Sequence, residues 1–405
     1  MTVASSAGSA FGSLVQMKQS SAPDAVTETL NSAVTALGGS DLVLYLVDYE
    51  QTVLLPHPDT LPHGQHPEPA SIEGTMAGKA FTTGSCQAAH RPDGWHVWVP
   101  VSERGNGLGV LALTLPNWDE EADRHCVDLG SAAAYMLVAA ARYTDRPHLL
   151  RRSQRMDLPA EMQWGLLPPL GFTVDGATLS GLVEPAYEVG GDAFDYAYNA
   201  GVLDLALFDA IGHGLHSASL AGLVVGAYRH ARRRGQDLTE IAQAIDAATR
   251  AFPIDPAFAT AVLARLHVGS GRLTWTSCGH PDPIIVRQHG CLPGHDELRH
   301  GLPLGLGGLG PVTGDVVATQ LEPGDGVLLY SDGVVEARDT ARNPFGEERL
   351  RDLLAREHQA NTHPQQVVRR LTKAALTHSD DRLSDDATML YLRWAPPDDG
   401  RDQSG

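Results

Sequence analysis

The sequence predicts an α+β protein: a layered sandwich of antiparallel sheets flanked by helices, with a smaller α/β domain before it. Three observations lead there. After Thr173 the chain runs through short strand-like stretches separated by Gly-bearing turns. Within that region two helical stretches, 216–234 and 238–252, follow one another with no strand between, which is not the βαβ alternation of a doubly wound sheet. And 405 residues are too many for one ordinary core, which suggests two domains.

Apolar residues make up 42% of the chain and charged residues 20%, a globular rather than a disordered balance. With 30 Lys and Arg against 49 Asp and Glu the formal charge is −19, which argues against a nucleic-acid surface. Cys86, Cys126, Cys278 and Cys291 are far apart and form no CxxC, so reduced thiols are expected. No apolar run approaches the roughly 20 residues that span a bilayer. Residues 1–20 lack the basic start and apolar core of a signal peptide and read as a flexible tail, as do residues 396–405. The expectation is a cytoplasmic protein that binds neither membrane nor nucleic acid.

In the N-terminal part, 25–37 has a helical pattern and 42–47 a strand pattern that 51–55 is placed to pair with. A loop rich in Pro and His occupies 56–69. Met76 to Thr83 reads as a short helix stopped by Gly84, and 95–101 and 108–115 as strands joined by a turn through Glu103-Arg104-Gly105-Asn106-Gly107. Residues 119–143 read as a long helix, acidic at its start as the helix dipole prefers. Gly78-Lys79-Ala80-Phe81-Thr82-Thr83-Gly84, with Val99-Pro100-Val101 followed by Gly109-Val110-Leu111, resembles a GAF-type sensory domain. Residues 21–147 are assigned to it.

Residues 148–170 are assigned as a helical linker. Its Leu149, Leu150, Met156 and Met162 have only rough helical spacing, and Pro159 interrupts it. Two readings stay open, a signalling helix that couples the domains and a solvated linker. Residues 171–395 make up the sandwich: strands at 202–208, 261–268, 272–277, 284–287, 316–320, 327–331 and 388–394, with Ile241, Ala244, Ile245 and Ala248 on one face of the second helix.

Four aspartates in this half each follow or end a strand-like run: Asp192 after Gly190-Gly191, Asp209 before Ala210-Ile211-Gly212-His213-Gly214, Asp332 before Gly333, and Asp385 with Asp386 before the last strand. Singly, an Asp beside a Gly at a strand end is an ordinary turn. If folding gathers all four, their charge requires a counter-charge, which a pair of hard divalent cations supplies.

Several motifs occur in one order: Glu188-Val189-Gly190-Gly191-Asp192, Asp209-Ala210-Ile211-Gly212-His213-Gly214, Cys278-Gly279-His280-Pro281, Pro303-Leu304-Gly305, Leu321-Glu322-Pro323-Gly324-Asp325, Ser331-Asp332-Gly333 and Asp385-Asp386-Ala387-Thr388. In that order they resemble the PP2C-type serine/threonine phosphatases of the bacterial SpoIIE-like branch. Ala160-Glu161-Met162-Gln163-Trp164 through Pro169 is similar to the segment that precedes this domain in relatives. The resemblance implies a PP2C-like αββα sandwich with two Mn2+ or Mg2+ ions. Asp209 would bridge them, the Ala210 carbonyl would complete one site, Asp332 and Asp385 would bind the second ion, and Asp192 would be a direct or water-mediated ligand. Asp386 remains the alternative to Asp385. Asp209 and Asp332 are thus the catalytic candidates, and no organic cofactor is implied.

The implied activity is hydrolysis of phosphoserine or phosphothreonine by a metal-activated water. The implied substrate is a phosphorylated anti-sigma-factor antagonist, under control of the N-terminal domain, and that domain or the linker is the candidate surface for a homodimer. The alternative is a pseudophosphatase or ligand-sensing scaffold that docks a partner without catalysis. His213 and His216 are read as helix-start and packing residues rather than a zinc pair. Cys278 with His280 is read as a turn, and Arg229, Arg232, Arg233 and Arg234 as a complement to a helix C-terminus.

Overall fold

The computed structural model describes residues 25–60, 68–187, 190–254, 256–294, 299–380, 383 and 385–396. The tails expected at 1–20 and beyond 396, and Glu188, Val189 and Ser384 of the motifs, lie outside the described residues. The chain divides into two compact units, 1–155 and 156–405.

The first unit is built on a six-stranded sheet of β1 (Ser40–Val47), β2 (Val53–Pro56), β3 (Ala70–Ser71), β4 (Gln87–Arg91), β5 (Gly94–Glu103) and β6 (Asn106–Leu115), in the order β3-β2-β1-β6-β5-β4. Alternation along the strands sends Leu42, Leu44 and Leu46, with Val97, Val99 and Leu111, to one face. There they meet α1 (Val26–Ala36) and α3 (Glu120–Ala140) through Leu30, Val34, Leu129 and Ala133. The other face carries α2 (Met76–Thr83), which Gly84 ends at φ 63°. The β5–β6 hairpin turns in two residues, with positive φ at Arg104 and Gly105, so Asn106 already belongs to the strand. At the N-terminus of α3 the Asp119 carboxylate accepts from the Ala122 N–H at 2.8 Å.

The segment 148–170 does not form one continuous helix. It contains the end of α4 (Arg146–Leu149), which belongs to the first unit, and α5 (Leu158–Leu166), which belongs to the second. Pro159 does not interrupt α5. It sits in the first turn, where an N–H has no helical partner to lose, and Asp157 caps that turn by accepting from Ala160 N.

The second unit stacks two antiparallel sheets. One holds β9 (Asp192–Asn199), β10 (Val202–Ala210), β11 (Ala259–His267), β12 (Arg272–Cys278) and β15 (Val317–Gln320), in the order β15-β12-β11-β10-β9. The other holds β7 (Gly171–Val174), β8 (Ala177–Glu184), β13 (Ile284–Arg287), β14 (Gly290–Cys291), β16 (Gly326–Tyr330) and β17 (Ala387–Trp394), in the order β14-β13-β16-β17-β8-β7. Both faces of each sheet are apolar, and strand alternation sorts them. In β10, Leu203, Leu205 and Leu207 point into the intersheet core with Phe194, Val262, Trp275, Leu390 and Leu392. Ala206, Phe208 and Ala210 face outward against α6 (Gly214–Arg233) and α7 (Leu238–Arg250). In β17, Ala387, Met389 and Tyr391 face α8 (Asp332–Glu336), α9 (Glu347–Gln359) and α10 (Pro364–His378). The result is the expected αββα layering.

The sequence reading assigned no helix between 332 and 385, yet α9 and α10 form one outer layer. Leu350 and Leu354 in α9, and Val367, Val368, Leu371 and Ala375 in α10, have the i, i+4 spacing that carried the signal. In α9 a high density of Glu and Arg masks it. Because both sheets depend on the shared interior, Leu205→Ala is expected to destabilise the protein by roughly 2–5 kcal/mol. Urea unfolding followed by circular dichroism measures this, and a loss below 1 kcal/mol would show that the intersheet core tolerates a void.

Candidate metal centre

Strand parity decides where the aspartates point. Asp209 continues the inward series Leu203, Leu205, Leu207 of β10, and Asp192 shares the parity of inward Phe194 on β9. The two are directly opposite in the β9–β10 ladder. Asp192 does not follow or end a strand-like run, as the sequence reading expected, but is the first residue of β9, after Gly190-Gly191. Both carboxylates therefore lie at one end of the sandwich, between the sheets. From the facing sheet, β16 ends at Tyr330 and delivers Asp332 to the start of α8, while Asp385 and Asp386 immediately precede β17.

Two glycines make this convergence sterically feasible. A methyl group on Gly190 would overlap the Asp386 carboxylate, and one on Gly191 would overlap the Ala210 carbonyl. Asp386 is 6% exposed, and its Oδ2 accepts from the Asp192 N–H at 3.3 Å. Asp385 is exposed, and its Oδ1 accepts from the Asp386 N–H at 2.9 Å. The pair thus divides: Asp386 grips the backbone at Asp192, and Asp385 stays open. Ser331 ties the same corner together, its hydroxyl donating to the Asp386 carbonyl at 3.2 Å and accepting from Thr388 N at 2.9 Å.

The electrostatics are those of like charges held together. Burial, then the Asp332, Asp385 and Asp386 charges, push Asp209 up to about 7. Burial, then Asp209 and Asp386, hold Asp192 well above the usual carboxylate range, with the Ser331 and Thr388 hydroxyls opposing. Asp386 is raised to about 7 by burial and Asp385, against the pull of the Asp192 N–H. Asp332 is raised by burial, Asp385 and Glu336. Asp192 is 2% exposed, and its Oδ2 is buried without a hydrogen-bond partner.

Among the described residues, no three Asp, Glu, His or Cys side chains converge at coordination spacing. The structure brings Asp192, Asp209, Asp332, Asp385 and Asp386 into mutual electrostatic reach without closing them on one point. The donor set nonetheless suits a hard divalent cation: oxygen ligands, excess negative charge and an orphaned buried carboxylate oxygen. The Ala210 carbonyl lies in the same corner and receives the Ser217 hydroxyl at 3.4 Å.

The sequence reading passed over Thr260 and took His280 only as part of a turn, yet both hold this corner. Thr260 is opposite Asp209 on β11, and its hydroxyl lies 2.7 Å from His280 Nδ1. His280 Nε2 lies 3.1 Å from the Tyr330 carbonyl, which can only accept, so Nε2 carries the proton and Nδ1 accepts from Thr260. Burial lowers His280 to about 4, which keeps the ring neutral and this polarity fixed. His280 thereby links β11, the neighbour of the strand bearing Asp209, to β16, which ends two residues before Asp332. Arg229 and Arg232, read as a helix-end complement, instead turn onto buried Asp195 of β9, each at 2.9 Å. His213 is exposed, and His216 packs edge-on against Phe252.

Residues 199–395 match the family described as Stage II sporulation protein E (SpoIIE). They form a SpoIIE-family domain. Asp192 and its two glycines lie just before the matched span. Phosphoserine phosphatase RsbU of Bacillus subtilis is 24% identical over 242 residues, covering 59% of this chain and 69% of RsbU. Protein IcfG of Synechocystis sp. is 25% identical over 143 residues, 33% of this chain and 20% of IcfG. Among solved structures, the RsbU and RsbW domains of Rv1364c from Mycobacterium tuberculosis are 24% identical, with a TM-score of 0.47, covering 55% of this chain and 61% of that one. The SiaA-PP2C domain of Pseudomonas aeruginosa is 19% identical, with a TM-score of 0.49, covering 58% of this chain and 94% of that one. The architecture of the SpoIIE-type domain rests on its own sheets and cores as described above.

Carboxylates whose folded pKa exceeds the unfolded value stabilise the fold below the unfolded value, near 4, and lose that contribution as pH rises through about 7. In chelator-treated protein, Asp209→Asn is therefore expected to raise stability at pH 8 by roughly 4 kcal/mol and to change it little at pH 3.5. Thermal unfolding at the two pH values checks this, and equal effects at both would remove the charge repulsion.

Proposed function

We propose that the SpoIIE-type domain is a metal-dependent protein serine/threonine phosphatase that hydrolyses phosphoserine or phosphothreonine. The observation that carries this reading is the group of five aspartates, drawn from both sheets and gathered at one end of the sandwich, where Asp192, Asp209, Asp332 and Asp386 have raised proton affinity. In this reading Asp209, the Ala210 carbonyl, Asp332 and Asp385 would hold two Mn2+ or Mg2+ ions, with Asp192 as a supporting ligand. A bound pair of such ions supplies a water of lowered pKa and offsets the charge of the phosphoryl group.

The chain's own contribution is to keep the carboxylates together and to set their protonation. Ligation requires the ionised form, so Asp209 gives up a proton that it holds to about pH 7 in the free protein. Neutral His280 and Thr260 fix the strand ends, and the Asp386 carboxylate fixes Asp192. The nearest thiol to this corner in sequence, Cys278, is buried with its pKa pushed up to about 12, which suits packing and not nucleophilic attack.

The proposed substrate is a phosphorylated anti-sigma-factor antagonist, supported by resemblance to the branch that includes RsbU, a phosphoserine phosphatase. The first unit is proposed as a GAF-like regulatory domain, and it or the segment after it as the surface for a homodimer. No helix among the described residues is long and apolar enough to cross a membrane, which suits a cytoplasmic setting.

Asp209→Asn and Asp332→Asn are each expected to lower Mn2+-dependent hydrolysis of a phosphoserine protein by at least a thousandfold while the circular dichroism spectrum is kept. Full activity in either variant refutes the assignment, and partner binding without hydrolysis by the unaltered chain favours a scaffold. Removing residues 1–155 is expected to change the hydrolytic rate or the oligomeric state, read by phosphate release and light scattering. No change in either would remove the regulatory role.

A further inference from the structure

Asp192 presents a problem that the ligand set alone does not solve. Its Oδ2 has no hydrogen-bond partner, so beside the Ser331 and Thr388 hydroxyls the placement of the carboxylate depends on how the backbone at residue 192 is held. The ladder to Asp209 and the Asp386 carboxylate hold one side of that backbone. The other side is held by α5, the first helix of the second unit.

Gln163 of α5 is 2% exposed, and its Nε2 donates to the Asp192 carbonyl at 2.6 Å. The adjacent residue, Trp164, donates from Nε1 to the Ala186 carbonyl at 2.8 Å. Two consecutive side chains of one helix thus grip carbonyls on both sides of the Gly190-Gly191 step that leads into Asp192. Glycine leaves that step little stiffness of its own, so external anchors matter more. The helix is fastened in turn: Arg229 donates from Nη2 to the Leu166 carbonyl at 2.6 Å and, from the same guanidinium, to both oxygens of Asp195. Asp195 lies three residues beyond Asp192 on β9, so Arg229 locks the end of α5 to the strand that begins at Asp192.

We propose that Gln163 and Trp164 are positioning residues for the Asp192 carboxylate, so that the seating of α5 sets the cation affinity of the centre. This rests on the metal-dependent reading of the site. An amide donor is suited to the task, because it bonds a carbonyl without adding a charge that would compete for Asp192. α5 is also the element through which the chain enters the second unit after Arg155.

The test uses the full chain with Gln163→Met, which keeps the length and loses the donor, and Trp164→Phe, which keeps an aromatic ring and loses the N–H. Mn2+ binding is followed by calorimetry, phosphate release at saturating Mn2+ by steady-state kinetics, and the amide exchange of 190–199 by mass spectrometry. Gln163→Met is expected to weaken Mn2+ binding about tenfold and speed exchange at 190–199, with kcat at saturating Mn2+ within twofold. Trp164→Phe is expected to shift both in the same direction by about threefold, and it carries the test should Gln163→Met not fold. Gly165→Ala, at an exposed position of α5 with open space around it, serves as the control and is expected to leave Mn2+ binding unchanged. Unchanged Mn2+ affinity in both donor variants, or an equal loss in Gly165→Ala, overturns the proposal. An unaltered chain that binds no Mn2+ refutes the phosphatase reading itself and this inference with it, an outcome distinct from equal binding by the unaltered and variant chains.

Discussion

Mutual repulsion among carboxylates is the constraint that the second unit is organised around. Burial at the end of the sandwich, and then the charges of neighbouring carboxylates including Asp385, raise the proton affinity of Asp192, Asp209, Asp332 and Asp386. Like charges do not collect there by their own interactions. The apolar interior of two sheets brings them together, because strands that share one core must also share their ends. The energy that holds the acidic corner comes from Leu203, Leu205, Leu207, Phe194, Leu390 and their neighbours.

A set of neutral and main-chain contacts then holds the corner without cancelling its charge. Asp386 accepts from the Asp192 N–H, Ser331 joins the start of β17 to the end of β16, and His280 joins Thr260 to Tyr330. The one strong ion network nearby is displaced from the site: Arg229 and Arg232 neutralise Asp195, which is buried further along β9. Had those guanidinium groups faced Asp192 or Asp209, they would have lowered the carboxylate pKa values and competed with a cation for the same oxygens.

Much of this was legible in the residues. The alternation that placed strands at 284–287 and 388–394 survives folding almost to the residue, as does the stop at Gly84. The linker was harder to read. Pro159 looks like an interruption in a linear pattern, and only the Asp157 cap reveals it as a first-turn residue. Gln163 stood in a segment noted for its resemblance to relatives, but nothing in its own sequence neighbourhood indicates a partner 29 positions away. Thr260 was missed, and His280 was read only as part of a turn, for the same reason: a cross-strand partner exists only once the register is set.

By itself, the sequence determined which residue types carry the chemistry, and that they stand at strand ends beside glycine. It also determined the two-sided apolar strands that make an αββα arrangement favourable, because alternation and local turn chemistry are properties of neighbouring residues. Only the tertiary structure decided that Asp386 grips Asp192 while Asp385 stays open, that Arg229 is spent on Asp195, and that α5 holds the step before Asp192. Each of those is a contact between residues far apart in the chain. Its geometry is set by how two sheets and their helices pack, and no local pattern encodes that distance.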